Sequence, residues 1–341
     1  MVQPETLIRL KDCTADELYA RLAGLGVSVR LARRLQAAAV RRGAAEIPTE
    51  MPEVSPRVLA HVRQAAVIPR LTLVDKAVSP RDGFTKYLFR GDGPELFEAV
   101  RIPLLHRPGD LKYVVCVSSQ VGCALGCAFC ATGRLGFMRN LGTWEIVDQV
   151  VQVQSDSPHP VRGAVFMGMG EPMLNYDRVM RAAHILSEPC GMAIAAKAIT
   201  ISTVGVVPMI RRFTAERRPY RLVVSLTSAD PKRRRELLPI EDSHPLPELI
   251  EALWEYHRAT GRRVTLAWTL LAGINTSPDD ARRLAELTAG LPIKLDLIEV
   301  NDPTGRFRPP AAAELNAFRD ALRAELGMPV VRRYSGGQDV D

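Results

Sequence analysis

Short apolar runs rich in β-branched residues alternate with amphipathic stretches along most of the chain. The runs predict six strands, at Tyr113–Val117, Ala164–Met167, Ala198–Ser202, Leu222–Leu226, Val264–Leu270 and Lys294–Val300. Helical spacing predicts helices between them near residues 143–154, 176–187, 205–213, 246–259 and 278–289, and a last helix at about 311–326. Buried strands that each lead into a helix are typical of a parallel sheet. We therefore predict an α/β fold, a partial (β/α)6 barrel with fewer units than the eight of a full barrel.

The first 75 or so residues are predicted to form a small helical domain. Helical spacing over Asp16–Leu22 and Val29–Ala39 surrounds a glycine-containing turn at residues 23–26. Arginines at positions 30, 33 and 34 follow this turn, and two interpretations stay open. The turn and its arginines bind a phosphate through backbone amides, or they form the solvated basic face of a plain helical hairpin.

Two more strands are predicted between the helical domain and the barrel. They lie at Thr85–Phe89 and Leu96–Ile102, and the turn Gly91-Asp92-Gly93-Pro94 between them favours a β-hairpin. The predicted organisation is a helical domain at 1–75, a β-hairpin extension or linker at 76–110 and the barrel at 111–341.

Composition and charge narrow the class of protein. Of the 341 residues, 47% are hydrophobic and 24% are charged, as in an ordinary globular protein. No apolar stretch reaches the ~18 residues of a membrane span, and the N-terminal residues lack the layout of a signal peptide, so we expect a cytoplasmic protein that binds no membrane. The net charge of +7 favours a polyanionic partner. Nothing in the pattern indicates an oligomer, and a monomer is expected.

Four of the six cysteines lie in one short segment, Cys116–Cys130. Cys123, Cys127 and Cys130 are separated by three and then two residues, a spacing that lets each thiolate bind one iron of a 4Fe–4S cluster. The fourth iron then has no protein ligand, and an open metal position is typical of a catalytic site. The alternative is structural zinc, with Cys116 or a distant histidine as the fourth ligand. No second cysteine pair and no His-x₃₋₅-His pattern supports zinc.

Four blocks of the sequence resemble one known family. Cys116–Cys130, Thr132–Asn140, Phe166–Pro172 and Ile201–Pro208 are similar to the RNA adenine methyltransferases of the RlmN/Cfr type. These radical S-adenosylmethionine (AdoMet) enzymes methylate C-2 or C-8 of an adenine in ribosomal or transfer RNA. The resemblance runs from about Glu98 to the end of the chain, and it makes residues 1–75 a candidate RNA-binding accessory domain.

The resemblance implies a role for each matching position. Cys123, Cys127 and Cys130 would hold the cluster, and a low-potential donor such as flavodoxin or ferredoxin would reduce it to release a 5′-deoxyadenosyl radical from AdoMet. Glu98 would accept the ring proton, and Cys116 would free the product by forming a disulfide, a step that a thiol of low pKa would suit. The positions that match AdoMet contacts are Gly170, Glu171, Ser202, Ser225, Leu226, Thr227 and Asn301. Without the resemblance, most of these are ordinary strand-end and turn residues, Glu98 is a strand glutamate and Cys116 a small buried residue.

Three departures from the family pattern affect these expectations. The cysteine that carries the methyl group is expected about three positions past Asp341, where this sequence has already ended. Residues 331–341 match the approach to that cysteine, which favours truncation; if the cysteine is absent, a different hydrogen abstraction becomes the expected reaction. Thr227 stands where the family has histidine, and Leu104–Lys112 is longer than usual. We expect methylation at C-2 rather than C-8, and the sequence leaves open which RNA is the substrate.

Two basic stretches are candidates for phosphate contacts. One comprises Arg211, Arg212, Arg217, Arg218 and Arg221, and the other is the run Lys232-Arg-Arg-Arg235. Either stretch contacts RNA phosphates or is a solvated helix face, and both interpretations stay open. An adenine inside folded RNA must leave its stack to reach a buried cluster, so a pocket for a flipped base is also expected.

Overall fold

A computed structural model describes residues 7–105, 111–328, 330–333, 336–337 and 339–340. Its strands are β1 Ile8–Arg9, β2 Ala66–Val67, β3 Thr72–Val78, β4 Thr85–Arg90, β5 Leu96–Leu105, β6 Leu111–Cys116, β7 Gln120–Gly122, β8 Phe137–Asn140, β9 Val161–Phe166, β10 Ile199–Thr203, β11 Arg221–Ser225, β12 Val264–Leu270, β13 Ile293–Glu299 and β14 Val331–Arg333. Its α-helices are α1 Ala15–Leu22, α2 Val29–Gln36, α3 Pro56–Ala65, α4 Ala131–Arg134, α5 Thr143–Ser155, α6 Tyr176–Ser187, α7 Val207–Ala215, α8 Pro231–Leu237, α9 Leu246–Thr260, α10 Pro278–Leu287 and α11 Ala312–Leu326.

One ten-stranded sheet is the centre of the molecule. Its order is β14-β13-β12-β11-β10-β9-β6-β5-β4-β3, and the strands from β14 to β6 are all parallel. The six predicted parallel strands are present, each followed by a helix or by the segment that leads to one, and the short β14 extends the sheet at one edge. The predicted partial barrel is therefore confirmed.

The predicted hairpin is part of this sheet rather than a separate extension. β4 pairs with β5, and β5 pairs with the first barrel strand β6, both antiparallel. A third antiparallel strand, β3, lies outside β4 and begins at Thr72, within the segment predicted to be helical. β3 could not be predicted from the sequence, because it is an exposed edge strand with Asp75 and Lys76 at its centre and has no apolar alternation.

The N-terminal helices are fixed to the barrel by a buried ion pair. Lys11, which precedes α1, forms a salt bridge with Asp148 on α5, and both side chains are almost fully buried. Asp148 also accepts hydrogen bonds from the Leu71 amide, at 2.7 Å, and from Gln152, at 2.9 Å. Because a buried charge is stable only when it is paired and hydrogen-bonded, this contact fixes one geometry between the two parts.

The register of the sheet assigns each strand residue to one of two faces. Phe166, Ile201 and Leu266 lie on the outer face, where they are buried in the apolar core under the helices. The inner face carries smaller and more polar side chains, in rows such as Cys116–Val165–Thr200 and Ser225–Ala267–Asp296. This polar inner face, open at the carboxyl ends of the strands, is where a partial barrel can bind a ligand.

Helix α8 was absent from the predicted elements. Asp230 caps it by accepting a hydrogen bond from the Arg233 amide at 2.9 Å, and Pro231 occupies its first turn. The Asp-Pro pair indicates a helix start, but the basic run that follows leaves no apolar periodicity from which so short a helix could be predicted.

No helix in the described part of the chain is both long and apolar enough to cross a membrane.

Candidate active site at the carboxyl ends of the strands

The loop with three cysteines begins directly after β7. Gly122 ends that strand with a φ of +70°, and a Cβ atom there would lie 1.7 Å from the Gly136 carbonyl oxygen, so only glycine fits. The Cys123 amide donates to the same carbonyl at 2.9 Å. The strand pair β7–β8 thus fixes where the cysteine loop starts.

The three thiols lie close enough to influence one another's charge. Burial, with smaller contributions from the neighbouring thiols and the Glu171 carboxylate, raises the pKa of Cys123 and raises that of Cys127 to about 12. All six cysteines are free thiols, so the disulfide implied by the resemblance is not formed in this structure. Among the described residues, no group of three or more His, Cys, Asp or Glu side chains is arranged to hold a metal ion. Metal binding would have to displace thiol protons in this buried loop.

The loop after β9 packs on the segment that leads to the cysteines. The Ser119 and Gln120 amides donate to the Met169 carbonyl at 2.9 and 3.1 Å, and the Met169 amide donates to Ser118 Oγ at 2.9 Å. Gly170 has a φ of +92°, and a Cβ atom there would lie 2.4 Å from Gln120 Cβ. A glycine is therefore required at this predicted AdoMet position for the two loops to meet.

Glu171 is a buried carboxylate without a basic partner among the described residues. Its oxygens accept hydrogen bonds from the Met173 amide at 2.9 Å and the Val204 amide at 3.0 Å. Burial raises the pKa of Glu171 to about 7, although these two amides and Thr203 oppose the shift. A bound cation beside this carboxylate would restore its ionised form, which matches its predicted contact with the AdoMet ammonium group.

Glu171 should make the protein without its cofactors less stable as the pH rises. The pKa of Glu171 in the folded state, about 7, lies above its ordinary 4.5, so its stabilising contribution is complete below pH 4.5 and disappears as the pH rises through 7. Relative to Glu171→Gln, the wild type should lose on the order of 3 kcal/mol of unfolding free energy across this window. Urea titrations of cluster-free protein between pH 4.5 and 8 measure the difference. Parallel curves for the two proteins would contradict it, and the exposed Glu236→Gln is the matched control.

Glu98 and Cys116 lie on the same inner face. Cys116 pairs with Val100, and Glu98 is two residues from Val100 on β5, so both side chains point to one side of the sheet. Lys86 on β4 places Nζ 3.6 Å from Glu98 Oε1. The pKa of Cys116 is not lowered in this structure, since burial and, less strongly, the Glu98 carboxylate raise it to about 12. Cys116 is therefore a neutral thiol at physiological pH.

The other predicted AdoMet positions follow the strand ends. Ser202 is buried in β10, and the half-buried Ser225 ends β11, both on the inner face. Leu226 is fully buried in the core, and its amide donates to the Ala267 carbonyl at 2.9 Å. Asn301 is exposed just after β13. Because parallel strands end at one edge, the sheet brings these positions to the edge where the cysteine loop lies.

Thr227 adopts a strained backbone conformation. Its φ is +58°, uncommon for any side chain and unfavourable for a β-branched one, and the Ser228 amide closes a three-residue turn by donating to the Leu226 carbonyl at 2.7 Å. The side chain is fully buried and its hydroxyl has no hydrogen-bond partner. Asn275 fixes the turn, since its Nδ2 donates to the Thr227 carbonyl at 2.8 Å and to the Thr269 carbonyl at 2.7 Å. Strain and an unpaired buried hydroxyl together are typical of a ligand-binding turn.

Thr227→Gly should make the protein more stable and weaken its binding of AdoMet. Glycine removes the strain and the unpaired hydroxyl, which we expect to raise the unfolding free energy by about 1–2 kcal/mol after the entropy of glycine is counted. Denaturant titration measures the first effect, and equilibrium dialysis with labelled AdoMet measures the second. Arg217→Gly is the control, because Arg217 also has a positive φ, of +48°, but is exposed before β11. Unchanged AdoMet binding by Thr227→Gly would contradict the assignment.

The basic stretches do not form a free positive surface. Arg211 pairs with three glutamates of α9, at 3.2 to 3.4 Å, and Arg212 pairs with Asp177 and Glu216. Arg221 begins β11, so it lies at the amino ends of the strands, opposite the site. In the second run, Arg233 pairs with Asp280 and Arg235 with Asp242, whereas Arg234 is fully buried. Burial excludes a phosphate contact by Arg234, and pairing weakens that interpretation for Arg211, Arg212, Arg233 and Arg235.

Sequence reasoning missed two buried residues of this region, Arg234 and Asn275. The rule that polar residues follow strand ends would have found Asn275, which comes five residues after β12. Residues 334, 335, 338 and 341 of the terminal run lie outside the described residues. So do residues 106–110 of the long segment Leu104–Lys112. Where the terminal segment is described, the Gly337 amide donates to Asp82 at 3.0 Å, next to the β3–β4 turn.

The chain is similar in sequence and in structure to known proteins. Residues 117–287 match the model of the Radical SAM superfamily. A "Probable RNA methyltransferase" of Myxococcus xanthus (strain DK1622) is 49% identical over 98% of this chain and 92% of its own length. The "Dual-specificity RNA methyltransferase RlmN" of Syntrophobacter fumaroxidans (strain DSM 10017 / MPOB) is 40% identical over 96% of this chain and 95% of its own. The crystal structure of a radical SAM methyltransferase from Sphaerobacter thermophilus, 37% identical, superposes with a TM-score of 0.88 and covers 98% of this chain and 97% of its own.

Proposed function

Because the chain belongs to the RlmN-type RNA methyltransferases of the radical SAM superfamily, we propose that it methylates C-2 of an adenine in ribosomal and transfer RNA. The observation that carries the proposal is the pair Glu98 and Cys116 on the inner face, beside the edge where the cysteine loop lies. A carboxylate and a thiol at that place are the groups that a ring methylation needs to remove the ring proton and release the product.

The residues at the site suit a 4Fe–4S cluster and AdoMet. The buried thiols of Cys123 and Cys127 and the half-buried thiol of Cys130 supply the soft ligands that iron prefers. Glu171 supplies a carboxylate with no basic partner near it in the described chain. The cluster would be held by Cys123, Cys127 and Cys130. AdoMet would be held by Gly170, Glu171, Ser202, Ser225, Leu226, Thr227 and Asn301. When bound, the two cofactors supply a 5′-deoxyadenosyl radical.

The chain's own groups then position and deprotonate the base. The inner face between β5 and β11 would take an adenine that has left its stack, with Glu98 as the acceptor of the ring proton. Lys86 places its Nζ 3.6 Å from Glu98 Oε1, so the carboxylate has a cationic neighbour on β4. Cys116, a neutral thiol until a base removes its proton, would act in product release.

Both kinds of RNA are proposed because the Syntrophobacter relative is named as dual-specific. We expect the protein to act as a monomer in the cytoplasm, where these RNAs and a donor such as flavodoxin or ferredoxin are found.

Nucleoside mass spectrometry tests the proposal. Ribosomal and transfer RNA are digested from a strain without the gene and from the same strain carrying the wild type or Glu98→Gln. We expect 2-methyladenosine to be absent from the deletion strain, restored by the wild type and not restored by Glu98→Gln. Loss of 8-methyladenosine instead would move the target to C-8, and an unchanged profile of methylated adenosines would contradict the proposal.

A further inference from the structure

Arg234 is a fully buried guanidinium between the two loops of the site. Its Nη2 donates to the Val204 carbonyl at 2.7 Å, and its Nη1 donates to the carboxylate of Glu241, which is also buried. The Val204 amide donates to Glu171 at 3.0 Å, so Arg234 and Glu171 hold one peptide segment from both sides. A buried charge is rare unless it is paired or has a functional role.

The same helix contacts the cysteine loop. The Ala128 amide, next to Cys127, donates to the Leu237 carbonyl of α8 at 2.9 Å. Arg234 lies one turn before Leu237 on this helix, so the element that carries the guanidinium is the one that contacts the cysteine loop. Burial lowers the pKa of Arg234, and Glu241 and, less strongly, Cys127 oppose that shift. Arg234 Nε is buried and has no hydrogen-bond partner among the described residues. A buried Nε–H group without an acceptor, beside the cysteine loop, indicates an anionic group that completes the site.

We propose that Arg234 is a positioning residue that sets the reduction potential of the cluster through a fixed positive charge beside Cys127. This inference rests on the proposed cluster at Cys123, Cys127 and Cys130. Reduction adds one negative charge to the cluster, and a nearby cation in a low-dielectric site stabilises that charge. The guanidinium therefore makes the cluster easier to reduce by a one-electron donor. Glu241 fixes the orientation of the guanidinium. The hydrogen bond from Arg234 to the Val204 carbonyl holds the guanidinium against the loop that Glu171 also contacts.

A redox titration tests the role without relying on methylation activity. Wild type, Arg234→Gln, Arg234→Lys and Arg235→Gln are reconstituted anaerobically and titrated with dithionite, and electron paramagnetic resonance follows the reduced cluster. The midpoint potential should shift to more negative values in Arg234→Gln, return most of the way in Arg234→Lys and stay unchanged in Arg235→Gln. Arg235 is the matched control, because it lies on the same helix but is exposed and pairs with Asp242 at 2.5 Å.

The outcomes separate this inference from the proposed function. If Arg234→Gln carries a full cluster at the wild-type potential, the inference is overturned and the proposed function stands. If the wild type takes up no cluster, the proposed function is overturned and the inference with it. Should Arg234→Gln fail to fold because Glu241 is left unpaired, the double variant Arg234→Gln/Glu241→Gln replaces it. A negative shift in the double variant supports the inference, and no shift overturns it.

Discussion

Cys127→Ala is expected to abolish both iron–sulfur absorbance and AdoMet cleavage. With two thiolates left, one more iron of the cluster has no protein ligand, and the buried loop offers no other soft ligand nearby. The fold should survive, because the loop is held by backbone contacts at Gly136 and Leu237 rather than by the thiol. Reconstitution followed by iron analysis and chromatography for 5′-deoxyadenosine measures the loss.

Cys190→Ala is the matched control for this loss. Cys190 is half-buried, and its thiol contacts Gln36 at 2.8 Å, away from the site. It should keep the wild-type cluster content and cleavage rate. A Cys127→Ala protein that still carries four irons and cleaves AdoMet would show that the cluster has other ligands.

Cys116→Ala is expected to separate radical formation from methylation. The cluster loop and the Glu171 loop do not depend on this thiol, so cluster content and AdoMet cleavage should remain near wild type. Methylated RNA should fall to the background level, because the residue proposed for product release is missing. The resemblance further implies that RNA stays covalently bound through the methyl-carrying cysteine, which is expected about three positions past Asp341. Gel electrophoresis of the denatured mixture detects this link in protein that carries that cysteine.

Cys13→Ala serves as the control here, since Cys13 is a buried thiol in the N-terminal core, outside the site. Wild-type turnover by Cys116→Ala would remove Cys116 from the proposed chemistry. Loss of AdoMet cleavage as well would show that the residue supports the cofactor site rather than the release step.

The sheet and the place of the site could be predicted from local patterns. Each barrel strand is a short, largely buried run, and parallel strands must end together, so residues at or after strand ends, such as Ser225 and Glu171, were expected at one edge. The strand β3 and the helix α8 escaped because one is an exposed edge and the other buries only Arg234 and Leu237. Their apolar patterns are too weak to predict a strand or a helix.

Charge could not be predicted, because it depends on partners far apart in the chain. Arg211 pairs with glutamates about forty residues away, and Arg234 forms a salt bridge with Glu241 inside the core. The raised pKa of Cys116 likewise needs the register that brings Glu98 from β5 to the same face. A run of arginines in a sequence therefore predicts a positive surface only where the fold supplies no acids opposite it.

The central claim is that three neighbouring thiolates hold a cluster with one iron open to AdoMet. Anaerobic reconstitution of the wild type, followed by metal analysis and by reduction in the presence of AdoMet, tests it most directly. The account predicts about four irons and four sulfides per chain and release of 5′-deoxyadenosine. A single tightly held zinc ion, with no iron–sulfur absorbance and no cleavage of AdoMet, would contradict it.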